Sequence, residues 1–174
     1  MQGGNGVRFG MFAAAHILWS LLCSWPMLQL LDGKEVSALI GTTVMMFGYL
    51  PLGWIAARCF CWPVPTRKQG IRAVLLPAGI AWLWAGMAAV GLYTEELAVA
   101  AVFGMPAFFL ASPSLLFIMT FVPWLAEMLN MTGFVDTVIP LLGVGIFFAG
   151  LLPPLLFFAG SWLYSIGKKT PETE

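Results

Sequence analysis

Arg58 to Arg72 reads RCFCWPVPTRKQGIR and carries four of the eight Lys and Arg residues in the chain. Pro63 and Pro65 and the clustered charges make it a poor helix continuation, and a long apolar run lies on either side. It therefore reads as a loop between membrane spans, at 58–72. Basic residues concentrated in a short loop mark the cytoplasmic side of a membrane. That assignment orients everything else.

Outward from this loop, charges punctuate the sequence and leave five stretches free of Asp, Glu, Lys and Arg: 9–31, 36–57, 73–94, 97–126 and 137–167. Each is long enough for a transmembrane helix, which needs about 20 apolar residues. The 174-residue chain is 60% hydrophobic and only 9% charged, with a mean hydropathy of +0.92. A soluble domain is typically about 25% charged, so this chain lacks the polar surface to face water all round. Residues 1–174 read as a single integral membrane domain, an all-α polytopic transmembrane bundle.

The first three spans fall at about 9–31, 36–57 and 73–94. The first reads as a retained span. Its apolar run exceeds signal length, and Leu22 is bulky where a lipoprotein site at Cys23 wants a small residue. Asp32-Gly33 signals a turn, Pro51 predicts a kink, and Ala81, Ala85 and Ala89 form a small-residue row suited to close helix contact. The stretch 97–126 is too long for one straight crossing, and Ser112-Pro113-Ser114 is its clearest breaker. Splitting there gives spans at 97–111 and 114–130, then a last one at 137–167, and returns Lys168 and Lys169 to the cytoplasmic side. Six spans are preferred and five are the alternative, with the second half broken by proline. A short broken pair also fits a re-entrant hairpin.

Candidate ligand-binding residues are His16, Ser20, Trp82 and Glu127. His16 is the sole histidine. It shares a helix face with Ser20, Cys23, Ser24 and Ala13, a weakly polar stripe that should face other helices. An ionisable group within a span marks a proton relay or ligand site, or a neutral imidazole hydrogen-bonded across a helix interface. Trp82 and Trp84 sit mid-span, where they line an apolar pocket or simply pack. Glu127, with Asn130 and Asp136, forms either a polar pathway mouth or an ordinary loop. Cys59 and Cys61 flank Phe60 beside basic residues, so they are a reactive pair or two incidental interfacial thiols.

Equally informative are the absences. One histidine excludes bis-histidine haem ligation, and no metal-ligand cluster or other cofactor signature occurs. No phosphate loop, dinucleotide fingerprint or hydrolase motif is present. The few basic residues hug the spans, which disfavours nucleic acid as a partner and leaves the lipid bilayer, a partner membrane protein or a second copy. The expected function is a small transporter, or membrane subunit of a transport complex, for a neutral or weakly polar solute. The alternatives are a structural or regulatory subunit docking a partner protein, and a membrane enzyme acting on a lipid or quinone. The expected location is a bacterial cytoplasmic membrane with the N-terminus inside.

Overall fold

The computed structural model describes residues 3–22, 25, 26, 29, 32–63, 65–128 and 139–167. Among them all regular structure is helical: α1 (Gly3–Leu22), α2 (Glu35–Phe47), α3 (Tyr49–Cys59), α4 (Arg67–Tyr93), α5 (Leu97–Met128) and α6 (Ile139–Gly167). Three helical segments, Glu35–Cys59, Arg67–Met87 and Gly150–Gly167, are long and apolar enough to cross a membrane, and Val7–Leu22 and Pro113–Leu125 are shorter apolar helices.

Polarity runs from inside to outside in the sense a bilayer favours. His16, Ser20, Thr42, Ser114, Thr120, Ser161 and Ser165 are buried, whereas Val36 is 68% exposed, Leu83 63% and Val102 65%. Water would penalise that outer surface, but lipid does not. The buried hydroxyls stay satisfied largely through their own helices. Thr120 Oγ1 donates to the Leu116 carbonyl at 2.9 Å, and Ser165 Oγ to the Ser161 carbonyl at 2.7 Å. Thr42 and Thr120 also meet each other at 2.9 Å, tying α2 to α5.

The helix read as one span at 36–57 is divided at Gly48, three residues before Pro51. Proline lacks the N–H that would reach the carbonyl of Phe47, and its ring crowds that carbonyl. The interruption therefore falls where the missing bond would have closed. Beyond it, α3 crosses α6 at Gly53 and Gly160, each of which meets the other helix's backbone directly.

α3 and α4 stop in one way, with a residue in the left-handed region followed by a backbone bond that spans six residues, and the turn before α2 carries the same bond. Lys34 N–H donates to the Gln29 carbonyl at 2.9 Å after Gly33 (φ 72°), and Trp62 N–H to the Ala57 carbonyl at 3.0 Å after Cys61 (φ 49°). Glu96 N–H donates to the Gly91 carbonyl at 3.0 Å after Glu95 (φ 59°). This is the Schellman arrangement, which prefers glycine at the left-handed position. Here only Gly33 supplies one.

One expectation needs correction. The break at Ser112-Pro113 is absent, because α5 is helical from Leu97 to Met128 without a gap. A proline within a helix deprives one carbonyl of its donor, whereas ending one helix and starting another orphans several groups at each end. In apolar surroundings the first defect costs less. The two halves of α5 attach to different helices. Phe103 packs on Trp84 of α4, and Thr120 bonds to Thr42 of α2.

Around the basic loop, the start of α1, the end of α3, the start of α4 and the last turns of α6 come together. Arg8 reaches the Pro63 carbonyl, and Gly70 abuts the ring of Phe158. This end of the bundle holds a chamber of about 270 Å³.

Candidate binding site

His16 lies in the middle of an apolar helix, and such a ring must find a partner or leave a buried polar atom unpaired. The partner is Tyr49, the first residue of α3. His16 Nδ1 and the Tyr49 hydroxyl are 2.7 Å apart, with His16 2% exposed and Tyr49 fully buried. The direction of the bond follows the tautomer: the phenol donates to a bare Nδ1, or Nδ1–H donates to the phenol oxygen. Aromatic neighbours hold both rings. Phe12 stacks on His16 with centroids 5.3 Å apart, and Trp19 packs edge-on to Tyr49 at 6.5 Å. Trp19 is itself fixed by a 2.7 Å bond from its indole N–H to the Met45 carbonyl. One turn beyond His16, Ser20 Oγ is buried and has no hydrogen-bond partner among the described residues.

Beside the pair is a cavity of about 60 Å³ that His16, Phe12, Pro77, Ala81, Gly150 and Pro153 help to line. At about 10–15 Å³ per water, it admits roughly four to six groups of that size. That suits a small solute and is too little for a lipid chain. One of its prolines matters for its polarity. Pro154 lacks the N–H that would satisfy the carbonyl of Gly150, a lining residue. The otherwise apolar wall therefore carries a backbone acceptor without its usual donor.

A second chamber, of about 270 Å³, shares Phe9, Phe12 and Pro154 with the first and lies toward the basic loop. Arg8 and Arg72 line it, with Gln69 and Ser161. Arg8 is held in place, its Nη2 donating to the Pro63 carbonyl at 3.0 Å and its guanidinium lying 5.2 Å from the centroid of the Trp62 ring. A guanidinium keeps its charge in such a setting. Both chambers are stacked along the same three helices, α1, α4 and α6.

The predicted site residues separate into three places. His16 and Ser20 share a buried face, as their spacing implies. Trp82 lies against Gly150, a wall of the small cavity, but its indole N–H donates to the Phe147 carbonyl at 2.9 Å and its ring stacks on Phe147 at 4.9 Å. Its contacts are those of a clamp between α4 and α6. Glu127 is remote, in a recess of about 160 Å³ shared with Glu35, Thr120 and Trp124. Glu35 precedes Tyr49 by about 21 Å of helix, so Glu127 and His16 do not form one site. Asn130, Asp136, Cys23 and Ser24 lie outside the described residues. Cys59 and Cys61 are free and exposed, and Cys61 serves a helix end. Among the described residues no three His, Cys, Asp or Glu side chains gather as a metal site would require.

Tyr49 is absent from the residues that the sequence singles out, although a signal exists. Tyr93 and Tyr164 fall near the ends of their charge-free stretches, and Tyr49 alone falls in the middle of one. A phenol at that depth needs a partner. Arg8 and Arg72 carry a comparable signal, each directly preceding a charge-free stretch.

No family model matches the chain, and no curated protein or solved structure is significantly similar to it.

Proposed function

We propose that this chain is a small multi-pass membrane protein that binds and passes a neutral or weakly polar solute, with His16 as the polar contact of the binding cavity and Tyr49 as the buried partner that orients it. The observation that carries this reading is His16, held by a buried 2.7 Å contact with Tyr49, on the wall of a cavity otherwise formed by apolar side chains and prolines. A neutral imidazole both donates and accepts, so it recognises an uncharged polar group without a buried net charge, and the Tyr49 hydroxyl orients it. The cavity size favours a small solute over the lipid or quinone of an enzyme reading.

The same proposal includes a path through the membrane. α1, α2 with α3, α4 and α6 cross, and the basic loop end is cytoplasmic. α5 begins three residues after α4 ends and finishes beside Glu35, where α2 begins. By helical rise, each of these points is about 35–40 Å from the basic loop. Both ends of α5 therefore belong to the outer side, and this unbroken helix bends within the membrane rather than crossing it. The four crossings are an even number, so the end of α6 returns to the side of the basic loop.

The test is solute flux into proteoliposomes, followed by light scattering with glycerol, urea and short amides. The expected result is swelling faster than in empty vesicles for at least one solute, lost in His16→Leu. No acceleration for any of them, with the protein folded and inserted, would leave a subunit that docks a partner chain as the better reading.

A further inference from the structure

The larger chamber is not used by the solute site, and its chemistry is different. We infer that it is a binding site for the headgroup of an anionic phospholipid of the cytoplasmic leaflet, held by Arg8 and Arg72. Three observations converge on that occupant.

The first is charge. Two guanidinium groups, from α1 and α4, line one chamber with Gln69 and Ser161, and no carboxylate does. The only ion pair among the described residues is Lys34 with Asp32, on the turn before α2. Arg8 is preorganised by the Pro63 carbonyl and the Trp62 ring, which use part of its donor fork and leave other N–H groups for an anion. Guanidinium matches phosphate oxygens in pairs, which makes it the group of choice for such a ligand.

The second is the wall. Below the cations the chamber is made of Phe9, Phe12, Leu76, Phe157 and Phe158. A free inorganic anion gains nothing from those rings, whereas a glycerol backbone and the start of an acyl chain do. At about 270 Å³ the chamber falls just short of a drug-sized pocket. It takes a headgroup and the first carbons, and the rest of the lipid must remain outside.

The third is access. Leu76 lines the chamber and is also 55% exposed, on the same outer surface as Ile71 at 49% and Leu75 at 50%. The chamber wall thus continues into the apolar outer face of α4, which is where acyl chains would lie. The inference stands on these residues alone and needs no solute at His16.

The experiment is native mass spectrometry of the full chain, released from neutral detergent, with phosphatidic acid, phosphatidylglycerol or phosphatidylcholine added in turn. The expected result is one tightly retained anionic lipid per chain. Retention should fall about fivefold in Arg72→Gln, the effect of removing one interfacial cation. Arg72 is exposed, so this variant should fold, and Ser161→Ala provides a second, uncharged perturbation. Arg67→Gln and Lys68→Gln, in the same basic segment but outside the chamber, should retain the lipid as the parent does. Equal losses in all three charge variants would reduce the effect to the general charge of the loop and overturn the site. Equal retention of phosphatidylcholine would overturn its anion selectivity. Displacement of the lipid by millimolar inorganic phosphate alone would make the occupant a free anion, against the inference.

Discussion

Gly53 and Gly160 face each other where α3 crosses α6, so closely that a Cβ on Gly53 would overlap the Phe157 carbonyl oxygen and one on Gly160 the Leu50 carbonyl oxygen. Backbone is what each methyl would strike, and backbone cannot rotate away. Gly53→Ala and Gly160→Ala should each destabilise the protein by about 3 kcal/mol, at the upper end for overpacking. At Gly79 and Gly86 an added Cβ would meet nothing within 4 Å. At those sites alanine should be neutral or stabilising by up to about 1 kcal/mol, since glycine is the poorer helix former. Unfolding by SDS titration of the four variants in mixed micelles checks the contrast, and equal effects at all four would refute the crossing.

The His16–Tyr49 contact predicts a different pattern, in which stability and binding part company. Tyr49→Phe keeps the volume but leaves a buried imidazole nitrogen without that partner, at a cost of about 1–3 kcal/mol. Adding His16→Leu replaces the stranded polar group with an apolar one and should recover part of that loss. Solute flux should remain absent in the double variant. If stability and flux recovered together, the pair would be only a packing device.

What the sequence discloses follows the physics each feature depends on. Charge placement is local information, so the apolar helices, the basic loop and the turn at Asp32-Gly33 are legible. The burial of His16 and Ser20 is too, because helical spacing alone puts them on one face. The partner of His16 is not, since nothing local says which helix lies opposite. Pro51 implies a kink at its own position, yet the interruption occurs at Gly48, because the carbonyl that proline deprives lies one turn earlier. A break at Ser112-Pro113 is what proline implies in water. In an apolar setting the helix persists through it, because leaving the helix would orphan more backbone groups. Residue type alone groups Trp82 and Glu127 with His16, and only the packing of α4 on α6 and of α5 on α2 separates them.

Cys61 and Glu95 occupy left-handed positions at the ends of α3 and α4, with φ of 49° and 59°. For a residue with a Cβ this conformation costs about 1 kcal/mol or more, and glycine avoids the cost. Cys61→Gly and Glu95→Gly should therefore each stabilise the protein by about 1 kcal/mol, visible as a rise in Tm. Cys61→Val, with a branched Cβ in the same conformation, should lower it. A fall in Tm for Cys61→Gly would show that the thiol has a stabilising role beyond ending the helix.

The proposed path through the membrane places Cys59 and Cys61 on one side and both ends of α5 on the other. In intact cells carrying a Cys23→Ser variant, a membrane-impermeant maleimide should leave Cys59 and Cys61 unlabelled until the membrane is permeabilised. In a background with every cysteine replaced by serine, Glu96→Cys and Glu127→Cys should both label from outside. These carboxylates flank α5 at its two ends and are exposed, so neither substitution disturbs a packed contact. Labelling of Glu96→Cys alone would mean that α5 crosses once. The end of α6 would then lie opposite the basic loop, in conflict with the contact between Gly70 and Phe158. Labelling of both from outside is the outcome that an even number of crossings requires.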